Sequence, residues 1–400
     1  MKTSLLFVVT LFTAAAAAAA TADNLADAIT KGQPSINLRL RYEGVDQTGL
    51  RDAEALTLRT RLGFTTASLH GWKAMLEAEN ITAYDGDRYS QAGINPGGAG
   101  RAVVADPEGT ELNQAWLACT ADGTTVTAGR QRLVLDNARF VGDSGWRQNA
   151  QTFDAVAVQN KSLDKTTLTY AYLDRIARVF GDHHAQGRWQ SDSHLFNASY
   201  TGFAPGTFTG YAYLLDFANA AANSCATYGA SFAGSHALNP DAKLLYRFEY
   251  ARQSDYASSP LSYATNYSVI ELGGGGKPGS FTLGREALGS DRNVGFKTPP
   301  ATLHAFNGWA DLFNATPATG LRDTYLKATA TLPEKISLLA FYHRYEADTT
   351  GANLGHEWDV QLSRALNKNF TALIKYADFT RDLPTLPNVS KLWFQLEYAL

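Results

Sequence analysis

Long apolar segments are missing from this sequence once the N-terminus is passed. After residue 22 no stretch offers the ~18 consecutive apolar residues that a membrane-spanning helix needs. A chain without such a helix crosses a membrane only as a closed β-barrel, because lipid cannot satisfy the open edge of a sheet. The absence leaves two classes of protein, a set of soluble domains or one large barrel.

Cysteine and net charge are also scarce. Cys119 and Cys225 are the two cysteines, and neither belongs to a CxxC or histidine-rich cluster. A structural zinc site would need about four ligands, so we expect no metal and no cofactor. The formal net charge of −3 lacks the basic excess of a nucleic-acid-binding protein, and we expect no nucleic-acid partner.

The apolar run at the N-terminus has the pattern of a cleaved secretory signal peptide. Residues 1–22 combine the positive Lys2, an apolar core at 5–12 and an alanine run with several A-x-A sites. We therefore expect export from the cytoplasm. Residues 23–34 are predicted to be a short periplasmic segment, frayed rather than folded into the one short helix that 23–31 could form. Residues 35–400 are predicted to form the main domain.

From residue 36 onward, apolar and charged residues alternate. In the first run Leu38 and Leu40 alternate with Arg39 and Arg41. Because successive side chains of a strand point to opposite faces, such runs predict strands with one apolar and one charged face. Similar runs surround Arg59, Glu77, Arg247, Asp359, Lys375 and Glu397.

The connections between these strands alternate between short and long. The long ones include residues 84–109, 136–151, 174–191 and 287–320. Short periplasmic turns that alternate with longer external loops are typical of outer-membrane barrels, whereas a soluble sandwich has no reason to sort its loops. We predict an all-β protein, a single transmembrane antiparallel β-barrel of the Gram-negative outer membrane with about 18 strands. Its surroundings would be outer-membrane lipid and lipopolysaccharide.

The stretch from Gly129 to Val156 reads GRQRLVLDNARFVGDSGWRQNAQTFDAV, a strand, a long loop and a strand. It resembles a signature of the alginate-export family of outer-membrane β-barrels. LGREALGSD at 283–291, TLHAFNGWAD at 302–311 and LWFQLEY at 392–398 resemble the same family. The resemblance implies a passive conduit, narrowed by charged side chains and loops, that delivers anionic polysaccharide outward. Arg130, Arg132, Arg139, Arg147 and Asp154 lie in the matching motif.

The loop at 136–151 also carries Arg139, Trp146, Arg147 and Gln148, side chains that a solvated linker would not need. We predict that this loop folds into the lumen and, with Asp154 beside it, sets the narrowest point. The alternative is an external loop that packs on the barrel rim through Trp146. Whether residues 287–320 also fill the pore stays open.

Charged strand faces should point into the lumen, because Arg or Lys on the lipid face costs about 2–4 kcal/mol at mid-membrane. The predicted lumen residues are Arg39, Arg41, Arg59, Arg61, Arg130, Arg132, Arg247, Lys375, Glu77, Glu79, Glu249 and Asp359, with Lys73, Lys243, Glu357 and Glu397 on the same faces. Two neighbouring strands each contribute two arginines, which predicts a basic ladder suited to carboxylates. The alternative is a network of salt bridges that only stiffens the wall.

These observations favour a channel for passive export of an anionic polysaccharide or another anionic solute, with periplasmic polymer-handling proteins as candidate partners. A porin for the uptake of small carboxylates or sugars is the main alternative. A hydrolase is a minor one, suggested by Asp192-Ser193-His194 and the pair His183-His184. Adjacent strand residues point to opposite faces, which separates Ser193 from His194 and removes the required hydrogen bond. We therefore expect no enzyme.

Overall fold

The computed structural model describes residues 21–277 and 279–400. Most of the predicted signal peptide, residues 1–20, lies outside the described residues. One sheet in the described chain contains twenty strands, two of them two-residue segments, and the remaining eighteen form an antiparallel wall. The first and last wall strands pair with each other, for example through Asn37 and Ala399, so the sheet closes. The predicted fold class is confirmed.

The wall strands are numbered here in chain order. They are β1 (Gln33–Gln47), β2 (Ala53–Thr65), β3 (Trp72–Ala83), β4 (Gly109–Ala121), β5 (Thr124–Gln131), β6 (Thr152–Asn160), β7 (Thr166–Ala177), β8 (Arg188–Phe203), β9 (Gly206–Leu215), β10 (Cys225–Asn239), β11 (Ala242–Asp255), β12 (Ala264–Gly276), β13 (Gly279–Leu288), β14 (Leu321–Leu332), β15 (Ile336–Glu346), β16 (Asn353–Ala365), β17 (Phe370–Arg381) and β18 (Val389–Ala399).

The alternation along each strand sorts side chains between the lipid face and the lumen. In β1, Leu40 is 46% exposed on the outside whereas its neighbour Arg41 is 1% exposed on the inside. The outward face carries exposed apolar residues from strand to strand, such as Leu58, Phe248 and Phe394. Such a belt of apolar side chains suits the hydrocarbon of a membrane, because it exposes no polar group that lipid would leave without a hydrogen bond.

Loop lengths alternate as the sequence predicts. β4 and β5 are joined by Asp122 and Gly123, which both have the positive φ that a tight hairpin turn requires. At the opposite end, long loops occupy residues 84–108, 132–151 and 289–320. Thr21, the first described residue, and Leu400 both lie at the short-turn end, the periplasmic side of such barrels.

The N-terminal segment is folded, so the expectation of a frayed end is wrong. Helix α1 (Leu25–Thr30) is capped by Asn24, whose side chain accepts a hydrogen bond from the Asp27 N–H at 2.9 Å. Ala28 is buried and packs in a small cluster with Ala22 and Ala67 at the periplasmic end. A cap and an apolar anchor together stabilise a helix this short. Across the described residues, no helix has both the length and the apolar character needed to cross a membrane.

Candidate solute path through the barrel

Residues 132–151, called here the inner loop, lie against the inward face of the wall. The Gln148 side chain donates to the Thr57 hydroxyl at 2.9 Å and to the Arg39 carbonyl at 3.3 Å. Arg39 in turn donates to the carbonyl of Gly145 at 3.1 Å. Arg39 and Thr57 belong to the lumen face of β1 and β2, so the structure places the inner loop inside the barrel and not on its rim.

The turns of the inner loop do not use its glycines for positive φ angles. Such angles occur at Asp136, Ala138 and Ser144, and not at Gly142 or Gly145. Gly142 serves instead for close approach, since a Cβ there would come within 2.2 Å of the Thr302 hydroxyl. Its N–H donates to the Pro300 carbonyl at 2.8 Å, which joins the inner loop to residues 289–320.

Arg147 is the principal ionic anchor of the inner loop. Its guanidinium lies 3.1 Å from Glu43 on β1, 2.8 Å from Asp311 in the loop 289–320, and 3.8 Å from Asp106 in the loop 84–108. Burial would lower the pKa of Arg147, but these carboxylates raise it above its ordinary value. One side chain therefore connects the wall with three loops.

Trp146 forms part of a cluster that surrounds Lys375. Its ring stacks on His304 with centroids 4.7 Å apart and meets Trp393 edge-on at 5.8 Å. The Lys375 ammonium lies 4.0 Å from the Trp146 centroid and 3.6 Å from that of Trp309. We call Trp146, His304, Trp309 and Trp393 the aromatic box. A desolvated cation over such rings gains roughly 2 kcal/mol or more.

His304 links this box to an acidic group. Burial lowers the pKa of His304 well below its usual range, so the imidazole is neutral. Its Nδ1 donates to Asp311 at 2.8 Å, and its Nε2 accepts from Lys375 at 2.7 Å. Burial alone would raise the pKa of Asp311, but His304, Lys391 and Arg147 hold it well below its usual value. The result is a continuous Lys391–Asp311–His304–Lys375 chain.

The predicted arginine ladder is covered and paired rather than bare. Arg39 and Arg59 lie 3.1 and 3.3 Å from Glu397, and Arg61 pairs with Glu79. Arg41 lies 3.6 Å from Asp106 and donates to Gln395 at 2.6 Å. Arg41 Nη1 and Arg59 Nε and Nη1 keep no hydrogen-bond partner among the described residues. The ladder therefore combines salt bridges with a few donors left over.

The inner loop also reaches the opposite wall. Arg139 donates to Glu286 on β13 at 2.7 Å and to Asn307 at 2.9 Å. Glu286 accepts a further hydrogen bond from Tyr267 at 2.7 Å. Since Arg147 binds β1 and Arg139 binds β13, the inner loop crosses the lumen.

Asp136 bonds to polar side chains of the wall and not to an arginine. Its carboxylate accepts from Asn197 at 2.8 Å and from Tyr213 at 3.4 Å. Burial raises the pKa of Asp136. Two other acids nearby do pair with arginines, Asp143 with Arg132 at 3.5 Å and Asp154 with Arg130 at 2.7 Å.

Arg130 and Asp154 do not join the lumen cluster. In the strand alternation they share a face with Ala128 and Val156, which are exposed, while the next residues of β5 and β6 are buried. They form a bidentate pair at 2.7 and 2.9 Å, and Arg130 also donates to the Leu112 carbonyl at 3.1 Å. The pair belongs to the wall at the outer end of these strands. The prediction that it lines the lumen is wrong. Both faces of β6 carry small or apolar residues, so the sequence does not show which face points inward.

The remaining predicted residues point inward and hold loops or neighbours. Glu77 accepts from Asn113 at 2.5 Å, and Glu249 pairs with Arg247 and accepts from Tyr211 at 2.7 Å. The carboxylates of Asp359 and Glu357 accept from the backbone N–H groups of Trp309 at 3.2 Å and Ala310 at 2.6 Å. Lys73 and Lys243 are half-buried.

Several site residues were absent from the sequence prediction: Glu43, Asp106, Glu286, His304, Asn307 and Asp311. Glu43 continues the inward period of Arg39 and Arg41, so its signal was present. His304, Asn307 and Asp311 fall within the TLHAFNGWAD stretch. That stretch resembles the family but does not show which residues its side chains contact. Asp106 has no sequence signal at all.

The hydrolase alternative is not supported by the geometry of its residues. Ser193 is buried, and its hydroxyl donates to the Asp216 carbonyl at 3.3 Å. The His194 ring lies on the other face, where its Nδ1 is 3.0 Å from the Tyr170 hydroxyl. The two side chains of the candidate pair therefore have separate partners.

A cavity of about 310 Å³ opens on the extracellular side of the aromatic box. Its walls come from the outer ends of β1 and β18 and from the loops 84–108, 132–151, 178–187 and 289–320. Arg147, Arg178, Lys391, Trp146 and Phe180 are among the lining side chains. The cavity is thus rich in cations and bounded by aromatic rings.

Comparison with solved structures finds the same barrel at low sequence identity. OpdK of Pseudomonas aeruginosa matches with a TM-score of 0.73 and 14% identity, covering 93% of this chain and 99% of that one. OccK9 (OpdG) of the same species gives 0.74 and 15%, covering 93% and 99%. OccAB2 of Acinetobacter baumannii gives 0.73 and 14%, covering 94% and 99%. These matches are outer-membrane porins, and at such identity they show the fold.

A search of the curated proteins finds no match. The sequence model for alginate export matches residues 33–213, which run from the start of β1 to near the end of β9 and include the inner loop. The resemblance seen in the sequence is therefore confirmed over residues 33–213, which match the alginate-export family on a porin-type barrel.

Proposed function

We propose that this chain is an outer-membrane channel through which small anionic solutes, chiefly carboxylates, diffuse passively. The observation that carries the proposal is the cation-lined cavity above the aromatic box. A space of about 310 Å³ suits a small molecule. The inner loop and the loop 289–320 meet below it, so a solute must pass their charged side chains.

Arg178 gives this cavity its preference for anions. Arg147 and Lys391 share Asp311, but Arg178 forms an ion pair with no carboxylate of the described chain. It lies 4.0 Å from the Trp189 centroid, and burial lowers its pKa to about 10, which keeps it charged at neutral pH. A half-buried guanidinium without a counter-ion favours an anionic ligand, and its planar fork matches a carboxylate.

The donors left over in the arginine ladder continue the path below the cavity. Arg41 lies with its guanidinium 4.1 Å from the Trp146 ring, at the border of the aromatic box. Its Nη1 makes no hydrogen bond but lies 3.6 Å from Asp106, and two nitrogens of Arg59 have no hydrogen-bond partner among residues 21–277 and 279–400. Both side chains are 1% exposed, so a carboxylate that leaves the cavity reaches these donors only when the inner loop moves aside.

A structural neighbour supports the same chemical class. OpdK was crystallised with vanillate, which is an aromatic carboxylate. A ring with one carboxylate matches a cavity in which Arg178 lies among Trp146 and Phe180. Export of an anionic polysaccharide is the second candidate, favoured by the family match over residues 33–213. A polymer would require the inner loop to leave the lumen.

Planar-bilayer recording tests the proposal. Wild-type channels should show reversal potentials that favour anions, and vanillate or benzoate should block the current from the extracellular side. Arg178→Gln should weaken this block by about tenfold or more, since a charge-assisted hydrogen bond contributes roughly 1.5–3 kcal/mol. Arg188→Gln is the matched control, because Arg188 is exposed and paired with Asp182.

Two results would count against small carboxylates as the solutes. Cation preference in the wild type would contradict any anion channel. Block and translocation by alginate oligomers, with no response to vanillate or benzoate, would favour polysaccharide export instead. Liposomes that contain the channel measure that translocation directly. Alginate oligomers are supplied at the periplasmic face of the channel, and uronate is assayed on the opposite side of the membrane.

A further inference from the structure

Three arginines stand on the lipid-facing side of the wall at the extracellular ends of alternate strands. On β11 the outward residues run Phe248, Tyr250, Arg252, and on β13 they run Phe281, Leu283, Arg285. On β15 Arg344 follows Tyr342. In each strand the outward face passes from apolar or aromatic residues to arginine just before the strand ends.

These arginines differ from the other outward arginines in lacking an acidic partner. Arg322 on β14 lies 3.8 Å from Glu346 and 3.4 Å from Asp348. At the periplasmic end, Arg364 lies 3.0 Å from Glu334. In contrast, no carboxylate of residues 21–277 or 279–400 forms an ion pair with Arg252, Arg285 or Arg344. All three are exposed.

Their remaining contacts are few. Arg252 donates to Asn266 at 3.0 Å and Arg344 to Asn353 at 3.4 Å. Arg285 makes no side-chain hydrogen bond within the described chain. A guanidinium carries five N–H donors, so most donors of this group remain available on the outside of the barrel.

The strand register brings Arg285 and Arg344 close together and places Arg252 nearer the extracellular loops. Arg285 and Arg344 both pair with Thr324 of the strand between them, so they are two strands apart, about 10 Å. On β12, Arg252 pairs with Asn266 and Arg285 with Ile270, so Arg252 lies four residues, about 13 Å, farther toward the extracellular end. We call Arg252, Arg285 and Arg344 the rim arginines.

Aromatic side chains lie directly below Arg252 and Arg344 on the same face. Tyr250 and Trp358 are each more than half exposed, and Tyr342 packs on Trp358 with centroids 4.6 Å apart. Aromatic belts mark the boundary between the hydrocarbon and the headgroups. Arg252 and Arg344 therefore lie at headgroup height in the outer leaflet, and Arg285 lies at the level of the aromatic belt, where a lipid-facing arginine costs about 0–1 kcal/mol.

We propose that the rim arginines form a binding site on the lipid-facing wall for the phosphate groups of lipopolysaccharide. The outer leaflet places lipid A phosphates beside them, and guanidinium binds phosphate through paired, charge-assisted hydrogen bonds. The aromatic residues below contact the first acyl carbons. This site is separate from the lumen and does not depend on which solute the channel carries.

Binding of purified lipid A to the detergent-solubilised protein tests the site by native mass spectrometry. The triple variant Arg252→Gln, Arg285→Gln, Arg344→Gln should bind lipid A at least about tenfold more weakly than the wild type. Arg364→Gln, an outward arginine at the periplasmic end, should bind like the wild type. Dephosphorylated lipid A should bind the wild type as weakly as intact lipid A binds the triple variant.

Other outcomes would overturn the site. Unchanged lipid A binding by a folded triple variant, judged by its heat-modifiable mobility, would contradict it. Equally tight binding of phosphatidylglycerol to the wild type would also contradict it, because the arginines would then attract any anionic lipid. If the triple variant fails to fold, Arg285→Gln replaces it, because Arg285 has no side-chain hydrogen bond to lose. An Arg285→Gln protein that binds lipid A like the wild type would then refute the proposal.

Discussion

Replacement of Arg147 by glutamine should release the inner loop while the barrel stays folded. Arg147 connects the inner loop to Glu43 on β1, to Asp106 and to Asp311. Asp311 retains Lys391 at 2.7 Å, and Asp106 retains the Gln148 N–H at 2.8 Å. Glu43 is 0% exposed and loses its ion-pair partner, so the cost falls mainly on that carboxylate.

The size of the effect follows from removing one partner of a buried ion pair. Removing one partner of such a pair costs about 3–5 kcal/mol, because an uncompensated charge stays buried. The wall itself is closed by strand hydrogen bonds that Arg147 does not contact. The penalty therefore falls on the closed position of the inner loop. At about 3 kcal/mol the ratio of open to closed loop rises roughly a hundredfold.

Single-channel recording measures this change. Arg147→Gln should raise the mean conductance and add rapid current noise as the inner loop leaves the lumen. Adding Glu43→Gln removes the stranded charge, so the double variant should return toward the wild type. Arg88→Gln is the control, because Arg88 forms an exposed pair with Glu54, and exposed pairs contribute only about 0–1 kcal/mol. An Arg147→Gln channel indistinguishable from Arg88→Gln would refute the reasoning.

Three further outcomes are expected. Deleting residues 138–145 removes Arg139 and the crossing of the lumen, so conductance should rise with barrel heat-stability retained; unchanged conductance would mean that the inner loop does not narrow the pore. Burial lowers the pKa of His304 from its ordinary 6.5, so the open loop binds the proton first and the closed loop loses stability as pH falls below about 6.5. Current noise should therefore increase on acidification in the wild type but not in His304→Gln. A tag after Leu400 should resist labelling from outside intact cells, since Leu400 lies at the short-turn end.

The strands could be predicted because their signal is local. Alternation with a period of two residues shows both the strand and its facing wherever one face is charged, as at Arg39, Arg41 and Arg59. Where both faces carry small or apolar residues, as near Asp154, the sequence does not show which face points inward. The prediction that Asp154 lines the lumen failed for this reason. The helix at the N-terminus was missed because one cap at Asn24 and burial of Ala28 outweigh its short length.

The partners of the lumen residues could not be predicted, because closure of the barrel decides them. Glu397 joins Arg39 across 358 residues, and only the pairing of β1 with β18 brings them together. Arg139 and Glu286 meet because the inner loop crosses the lumen. Neither contact has a counterpart in local periodicity. The sequence could therefore show which residues face the lumen but not which charges cancel.

That cancellation is uneven, and the unevenness indicates where an anion would pass. On the β9–β14 side, tyrosine hydroxyls donate to carboxylates, Tyr211 to Glu249 at 2.7 Å and Tyr325 to Glu271 at 2.6 Å. Acids already bonded in this way repel an incoming carboxylate. The β1–β18 side holds three guanidinium nitrogens without a hydrogen bond, Nη1 of Arg41 and Nε and Nη1 of Arg59, and lies beneath the cavity with Arg178. An anion is therefore expected to follow the seam where the barrel closes, and the inner loop limits its passage there.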